Sequence, residues 1–222
     1  MSAEPRTSST EPKRIGVFGG AFDPPHNAHV ALAQAALSQL GLSELHVIPT
    51  GMAWHKARAL TPPSHRLAMT RLAFGDMPRV TIDPRELERA GPTYTIDTLE
   101  ALRRENPSAQ LHLIMGADQF AALRQWHRWE AILDIAIICV AERAINARAS
   151  GLSESFFAEY GRSDRFKSVQ MTASSISATR VRQAILQGLA DRSKPLDISL
   201  LVPPAVARYI SDHALFQDGL PD

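Results

Sequence analysis

Two short stretches of this sequence carry side chains suited to an anion. The first is Gly19-Gly20-Ala21-Phe22-Asp23-Pro24-Pro25-His26-Asn27-Ala28-His29, set between an apolar run and an Ala/Leu-rich one. Its paired glycines let backbone come close to a ligand. His26 and His29 stand three apart at the start of a predicted helix, a spacing that lets both face one bound group. A helix start also offers unpaired N–H groups and the positive end of a dipole, which favour phosphate. No G-K-[ST] follows, so the loop is not a Walker loop. Two plainer readings compete with this one. A Gly-Gly turn could be flanked by surface histidines, although the eleven residues together in this position weigh against it. A metal site from Asp23, His26 and His29 would lack a clear third ligand. The second stretch is Ser174-Ser175-Ile176-Ser177-Ala178-Thr179-Arg180-Val181-Arg182. Hydroxyls crowd a predicted helix start, where they cap N–H groups, and Arg182 falls about one turn in. An anion there would meet N–H groups, a hydroxyl and a guanidinium together. Alone, this stretch reads as an ordinary capped helix with solvated arginines. Beside the first loop, the anion-binding reading takes precedence.

Strands and helices must hold these stretches. Arg14 to Gly19 reads as a strand, Ala28 to Leu40 as a helix ended by Gly41, and Glu44 to Ile48 as a strand closed by Pro49. Strand, loop, helix and strand in such short order is a βαβ unit with a parallel pair. The alternation continues with a helix over Ser64 to Phe74 and a strand over Val80 to Ile82. Thr95 is the expected N-cap of a helix running to about Glu105, and Leu111 to Met115 is a strand ended by Gly116. Ala117 to Leu123 and Trp129 to Leu133 read as short helices. Ile135 to Val140 is an unbroken apolar run, as expected of a strand covered on both faces. Residues 142–168 are mixed and polar and support no assignment. Ser177 to Leu189 and Pro204 to about His213 read as the last helices. The pattern predicts an α/β fold: a Rossmann-like doubly wound parallel sheet with a small C-terminal helical portion. In such sheets ligands bind outside the carboxyl ends of the strands, where the first loop lies.

Composition narrows the function classes. The chain has 222 residues, 45% of them apolar and 21% charged, which is ordinary for one globular domain. Lys and Arg number 24 against 23 Asp and Glu, and this balance argues against coating nucleic acid or an anionic membrane by bulk charge. The single cysteine, Cys139, excludes an internal disulfide and a Cys-rich zinc site. The longest apolar run, Ile135 to Ala141, is far too short to span a membrane. Residues 2–13 are polar, contain two prolines and lack an apolar segment. They are expected to be a disordered leader and not a signal peptide, with one domain over 14–222. A cytoplasmic location is the expectation.

Gly19 to His29 resembles the GGxFDPxHxGH signature of the nucleotidyltransferase superfamily, with Ala21 where Thr or Ser is usual and Ala28 where Gly is usual. Ile176 to Arg182 resembles the ISSTxIR motif of the same superfamily, with Ala178 in place of the second Ser. Four shorter features sharpen the resemblance. Pro49 to Lys56 is a loop with His55 and Lys56 at its end, its Met52 to Trp54 part reading equally as mobile surface. Thr93-Tyr94-Thr95 precedes a helix, Gly116-Ala117-Asp118 follows a strand, and Trp126 lies in the loop beginning Arg124-Gln125-Trp126-His127. An exposed indole is a good stacking face, and with Trp126 and Trp129 three apart, one can be buried while the other is exposed. In this order, from about Arg14 to His213, the chain resembles the bacterial nicotinate-nucleotide adenylyltransferase family of NAD biosynthesis.

That resemblance implies adenylyl transfer from ATP to nicotinate mononucleotide, giving deamido-NAD and pyrophosphate. It implies a catalytic role for His26, His29 and Arg182. It implies ATP binding by Gly19, Gly20, Ala21, Phe22, Lys56, Asp118, Ile176 and Ser177, with Thr179 only a capping residue. Tyr94, Thr95, Gly116, Trp126 and Arg143 would bind nicotinate mononucleotide. Arg143 is the loosest match, since many members carry R-P-G where this chain has Arg143-Ala144-Ile145. Mg²⁺ would arrive on the ATP phosphates, with no protein metal ligand. The implied partners are these two small molecules, with no nucleic acid and no membrane, and homo-oligomerisation stays open. The rivals are an adenylyltransferase acting on phosphopantetheine, an enzyme preferring nicotinamide mononucleotide, and a nucleotide-binding regulator without turnover, kept open by Ala21 and Ala28. A Rossmann dehydrogenase is disfavoured because no G-x-G-x-x-G follows the first strand.

Overall fold

The computed structural model describes residues 12–51, 59–144, 160–172, 174–190 and 198–217. Six strands form one sheet: β1 (Arg14–Gly20), β2 (Glu44–Pro49), β3 (Val80–Ile82), β4 (Gln110–Gly116), β5 (Ala136–Ala144) and β6 (Phe166–Thr172). Their order is β3-β2-β1-β4-β5-β6, with every pair parallel. The order reverses between β1 and β4, which is where a doubly wound sheet opens a crevice. The helices are α1 (Asn27–Gln39), α2 (Pro63–Phe74), α3 (Arg85–Glu88), α4 (Thr95–Glu105), α5 (Ala117–Ala121), α6 (Trp129–Ile135), α7 (Ala178–Ala190) and α8 (Pro204–Asp212).

Strand alternation builds two cores. Leu111, Leu113 and Met115 of β4, with Ile138 and Val140 of β5, face Ile96, Leu99 and Leu102 of α4 and Ile132 of α6. Their neighbours Ile114, Ile137 and Cys139 face the other way, toward Leu32, Ala36 and Leu37 of α1 and Phe74 of α2. Both faces of the central strands are therefore covered, which is why their sequence is apolar without interruption. A third cluster joins Met69 of α2 to Val181 and Ile185 of α7 and to Val206 and Ile210 of α8. The C-terminal helical portion is thus seated on α2.

Four expectations need correction. The 142–168 stretch, left without assignment, contains the end of β5 and the start of β6. β6 is an edge strand carrying Lys167, Ser168 and Gln170, so it lacks the apolar run of a central strand. Its outer backbone at Gln170 pairs with the Gln39 carboxamide, which donates to the carbonyl at 2.8 Å and accepts from the N–H at 2.9 Å. Ile135 ends α6 instead of opening β5, and the helix expected to run to Leu123 stops at Ala121, followed by a 3₁₀ turn over Leu123–Gln125. Thr95 is the first helical residue of α4, and Tyr94 holds the N-cap position in extended backbone. No helix among the described residues is long and apolar enough to cross a membrane. The leader expected over 1–13 lies outside the described residues except for its last two.

Candidate active site

A cavity of about 670 Å³ lies at the carboxyl ends of β1, β2, β4 and β5. The loop after β1 forms its floor, with Gly19, Gly20, Ala21 and Phe22 among the lining residues. Phe22 is fully buried at a φ of 46°, a region costly for a residue with a Cβ. Edge-on packing against Phe18 and Phe74, both at 5.5 Å, fixes the ring and so the turn.

His26 and His29 both line the cavity and stack on each other, ring centroids 3.6 Å apart and planes 15° apart. The His26 N–H donates to Nδ1 of His29 at 3.2 Å. Nδ1 of His29 is therefore the unprotonated nitrogen, and in the neutral ring the proton sits on Nε2. The site gains a fixed N–H donor instead of a free base.

The start of α1 is less open to an anion than its position suggests. Asn27 N–H donates to Leu201 O at 2.9 Å, while His29 and Val30 N–H groups both donate to His26 O, at 2.8 and 3.2 Å. Ala28, which lines the cavity, carries the remaining N–H of the first turn. The Asn27 carboxamide also donates to Leu200 O, so the loop before α8 grips the helix start.

Two buried arginines tie the floor to distant elements. Arg66 of α2 is 1% exposed. Its Nη1 donates to Ala21 O at 3.1 Å and Thr50 O at 2.7 Å, and its Nε donates to Thr61 O at 3.0 Å. Burial pushes its guanidinium below the ordinary value, and the nearby Asp23 carboxylate pulls the other way. Asp23 is itself buried and accepts from Thr61 N–H at 3.3 Å. Arg182 of α7 donates through Nη1 to Asp23 O at 2.7 Å and through Nη2 to Thr179 Oγ1 at 3.2 Å. One guanidinium thus joins the two sequence motifs across 159 positions, and it lines the cavity.

The capping role expected of Thr179 falls to Ser177. Ser177 is the capping residue: its Oγ accepts from Arg180 N–H at 3.2 Å, and its carbonyl from Val181 N–H at 3.0 Å. Thr179 supports Arg182 instead. Ser177 and Ile176 still line the cavity, and the Ser177 hydroxyl proton stays available to donate.

The far wall carries Tyr94, Thr95, Gly116, Asp118 and Trp126. Gly116 precedes α5, where a Cβ would lie 2.6 Å from Asp118 Oδ1, so glycine is what lets this carboxylate turn back. Asp118 is exposed in the first turn of α5. Trp126 is half-buried, packed on the core yet facing the cavity. Trp129 is half-buried too, packed on the same core and edge-on to Tyr160 at 6.1 Å, so neither indole is fully buried or exposed, and of the two Trp126 lines the cavity. The Tyr94 ring leans on His127 at 4.4 Å.

Two residues of this wall, Glu86 of α3 and Thr98 of α4, escaped the sequence reading, and Thr93, quoted beside Tyr94, was given no role. All three are buried and line the cavity. Thr98 Oγ1 donates to Glu86 Oε1 at 2.8 Å. Burial pushes the Glu86 carboxyl above its ordinary value, opposed by hydrogen bonds from Thr98, Gly51 N–H and Thr93 and by the charge of Arg89. Lys56 and His55 lie outside the described residues, as does the side chain of Arg143, whose backbone pairs with Met171 in the sheet.

The two sequence motifs close on one cavity of a doubly wound sheet, and residues 17–184 match the family model described as cytidylyltransferase-like, which puts the chain in the nucleotidyltransferase class. A relative from Albidiferax ferrireducens, named nicotinate-nucleotide adenylyltransferase, is 51% identical, covering 92% of this chain and 98% of the relative. One from Pseudomonas aeruginosa with the same name is 37% identical, covering 92% and 98%. The chain belongs to the nicotinate-nucleotide adenylyltransferase family. Two structures of Plasmodium falciparum nicotinic acid mononucleotide adenylyltransferase share its fold. The complex with NaAD has a TM-score of 0.73 and the complex with APC 0.71, each at 20% identity over 93% of this chain and 98% of that one.

Proposed function

We propose that this chain transfers the adenylyl group of ATP to nicotinate mononucleotide, producing deamido-NAD and pyrophosphate. The observation that carries the reading is the shared cavity: His26, His29, Ser177 and Arg182 line one part of it, and Tyr94 and Trp126 another. A triphosphate and a flat-ringed nucleotide can meet there.

A phosphate oxygen of nicotinate mononucleotide attacks the α-phosphorus of ATP. A new P–O bond forms, and the bond from that phosphorus to the bridging oxygen breaks, its electron pair leaving on pyrophosphate. No protein nucleophile is needed, so catalysis rests on positioning and charge stabilisation. The Nε2–H of His29 donates to a phosphoryl oxygen, and the ring cannot turn away while Nδ1 is held by His26 N–H. The Ala28 N–H supports the same oxygens. Arg182 and the Ser177 hydroxyl hold the leaving pyrophosphate, with Lys56 as helper. Asp118 accepts from ribose hydroxyls.

Mg²⁺ would arrive on the ATP phosphates, since the donors proposed for the phosphates, the His29 Nε2–H, the Arg182 guanidinium and the Ser177 hydroxyl, suit anions. When bound, the ion neutralises phosphate charge. Trp126 stacks on the pyridine ring, and backbone N–H groups near Tyr94 and Thr95, with Arg143, receive the nicotinate carboxylate.

The test is pyrophosphate release from ATP and Mg²⁺ with nicotinate mononucleotide, nicotinamide mononucleotide or phosphopantetheine as acceptor. Strong release with the first and little with the others is the expected result. Release with phosphopantetheine alone would overturn the reading.

A further inference from the structure

We propose that Glu86 is a positioning residue for the acceptor nucleotide: its buried carboxylate clamps the Thr93–Tyr94 strap to the loop after β2, setting acceptor affinity without touching the ATP half. This rests on the adenylyl-transfer reading above.

Three segments converge on this carboxylate. Thr98 donates to it from α4 at 2.8 Å, Thr93 donates from the strap, and Gly51 N–H donates from the loop after β2. Arg89 holds the cluster from the end of α3, its Nη1 donating to Thr98 Oγ1 at 3.4 Å. The fit is close. A Cβ on Gly51 would lie 2.0 Å from Glu86 O and 2.7 Å from Thr93 Cγ2. Glu86 is 7% exposed and what remains faces the cavity.

Chemistry explains why a carboxylate is used. It accepts on every side and has no proton of its own to place, so donors from three chain segments can share it. A glutamine of the same size accepts at one atom only and turns its NH₂ toward another donor. The strap would then lose a tether beside Tyr94, near which backbone N–H groups receive the nicotinate carboxylate in the reading above. Among the described residues no hydrogen bond of Glu86 reaches the His26–His29 loop or α7 directly, and the neighbouring Thr50 is held to the floor by its own bonds to Gly20 and Arg66. The effect should therefore fall mainly on the acceptor.

The experiment is steady-state kinetics of Glu86→Gln with each substrate varied in turn, alongside nicotinate mononucleotide titrations followed by tryptophan fluorescence. Expected is a roughly tenfold rise in acceptor KM, a matching rise in the fluorescence Kd, and an ATP KM and kcat within about twofold of wild type. Thr98→Val, which removes one donor and keeps the carboxylate, should show the same selective rise at about threefold. It serves if Glu86→Gln does not fold. Unchanged acceptor KM in the folded variants, or KM values for both substrates rising together, would overturn the inference while wild-type turnover upholds the function. A wild type that neither turns over nicotinate mononucleotide nor quenches with it would overturn both.

Discussion

The end of the cavity proposed for the phosphates and the end proposed for the ring are built differently. At the phosphate end, side chains reach from distant elements to backbone carbonyls: Arg66 to Ala21, Thr50 and Thr61, Arg182 to Asp23, and Asn27 to Leu200. Each such bond fixes the course of the main chain. At the ring end, side chains lean on side chains, as Tyr94 does on His127, tilted by 36°. In-line displacement at phosphorus tolerates little misplacement, since geometry itself supplies much of the rate. A flat ring can slide on an indole and still be held. Damage to the first region should appear in stability and kcat, and damage to the second in acceptor KM.

The largest effect should come from Arg66. Replacing it with alanine removes a hydrogen bond from each of three half-buried carbonyls and a cation from beside the buried Asp23. Breaking such a buried charge arrangement costs about 3–5 kcal/mol. Urea unfolding should show a lower midpoint at unchanged slope, with kcat lost in the folded fraction. A midpoint shift equivalent to under ~1 kcal/mol would mean the floor holds its shape without this arginine, and the contrast between the two ends would collapse.

His29→Ala is next. Loss of one preorganised donor to a developing charge costs about 10²–10³ in kcat. The variant loses the His26 N–H bond to Nδ1 and the ring stacking, but the backbone bonds of the helix start remain, so thermal stability should fall only modestly. His29→Gln sharpens the test, because a carboxamide can also accept and donate at once. Partial recovery of kcat with Gln but not Ala would support a donor role. Full activity in the alanine variant would remove His29 from the chemistry.

What was readable in the sequence follows the same division. The His26–His29 loop and the Ser174–Arg182 stretch are contiguous, so type and spacing display them directly. The sheet was readable because β4 and β5 are apolar on both faces. Arg66 was not, since its three acceptors come from elsewhere in the chain and α2 looks like a solvated helix. One signal was present: Arg66 shares a helix face with Met69, Thr70 and Phe74, all buried, so a charge stood on the core-facing stripe. Glu86 offered no such sign, because a four-residue helix has no stripe to read. β6 was hidden by the polar residues that suit an edge strand.

The smallest effect, and the one that probes the ring end directly, belongs to Trp126→Ala. The indole is half-buried against the core near Tyr94, so its loss has two components. Packing accounts for a modest fall in stability. Stacking accounts for about 1–1.5 kcal/mol of acceptor binding, a rise of roughly tenfold in acceptor KM. ATP KM should stay put, because Arg182 and Ser177 reach the cavity from α7, independent of the 3₁₀ turn that carries Trp126. Trp126→Phe keeps an aromatic face and should recover most of the loss. If the alanine variant instead lowers kcat with acceptor KM unchanged, then the ring end sets the reacting geometry as strictly as the phosphate end. The distinction between backbone-anchored and side-chain-anchored walls would then have no kinetic meaning.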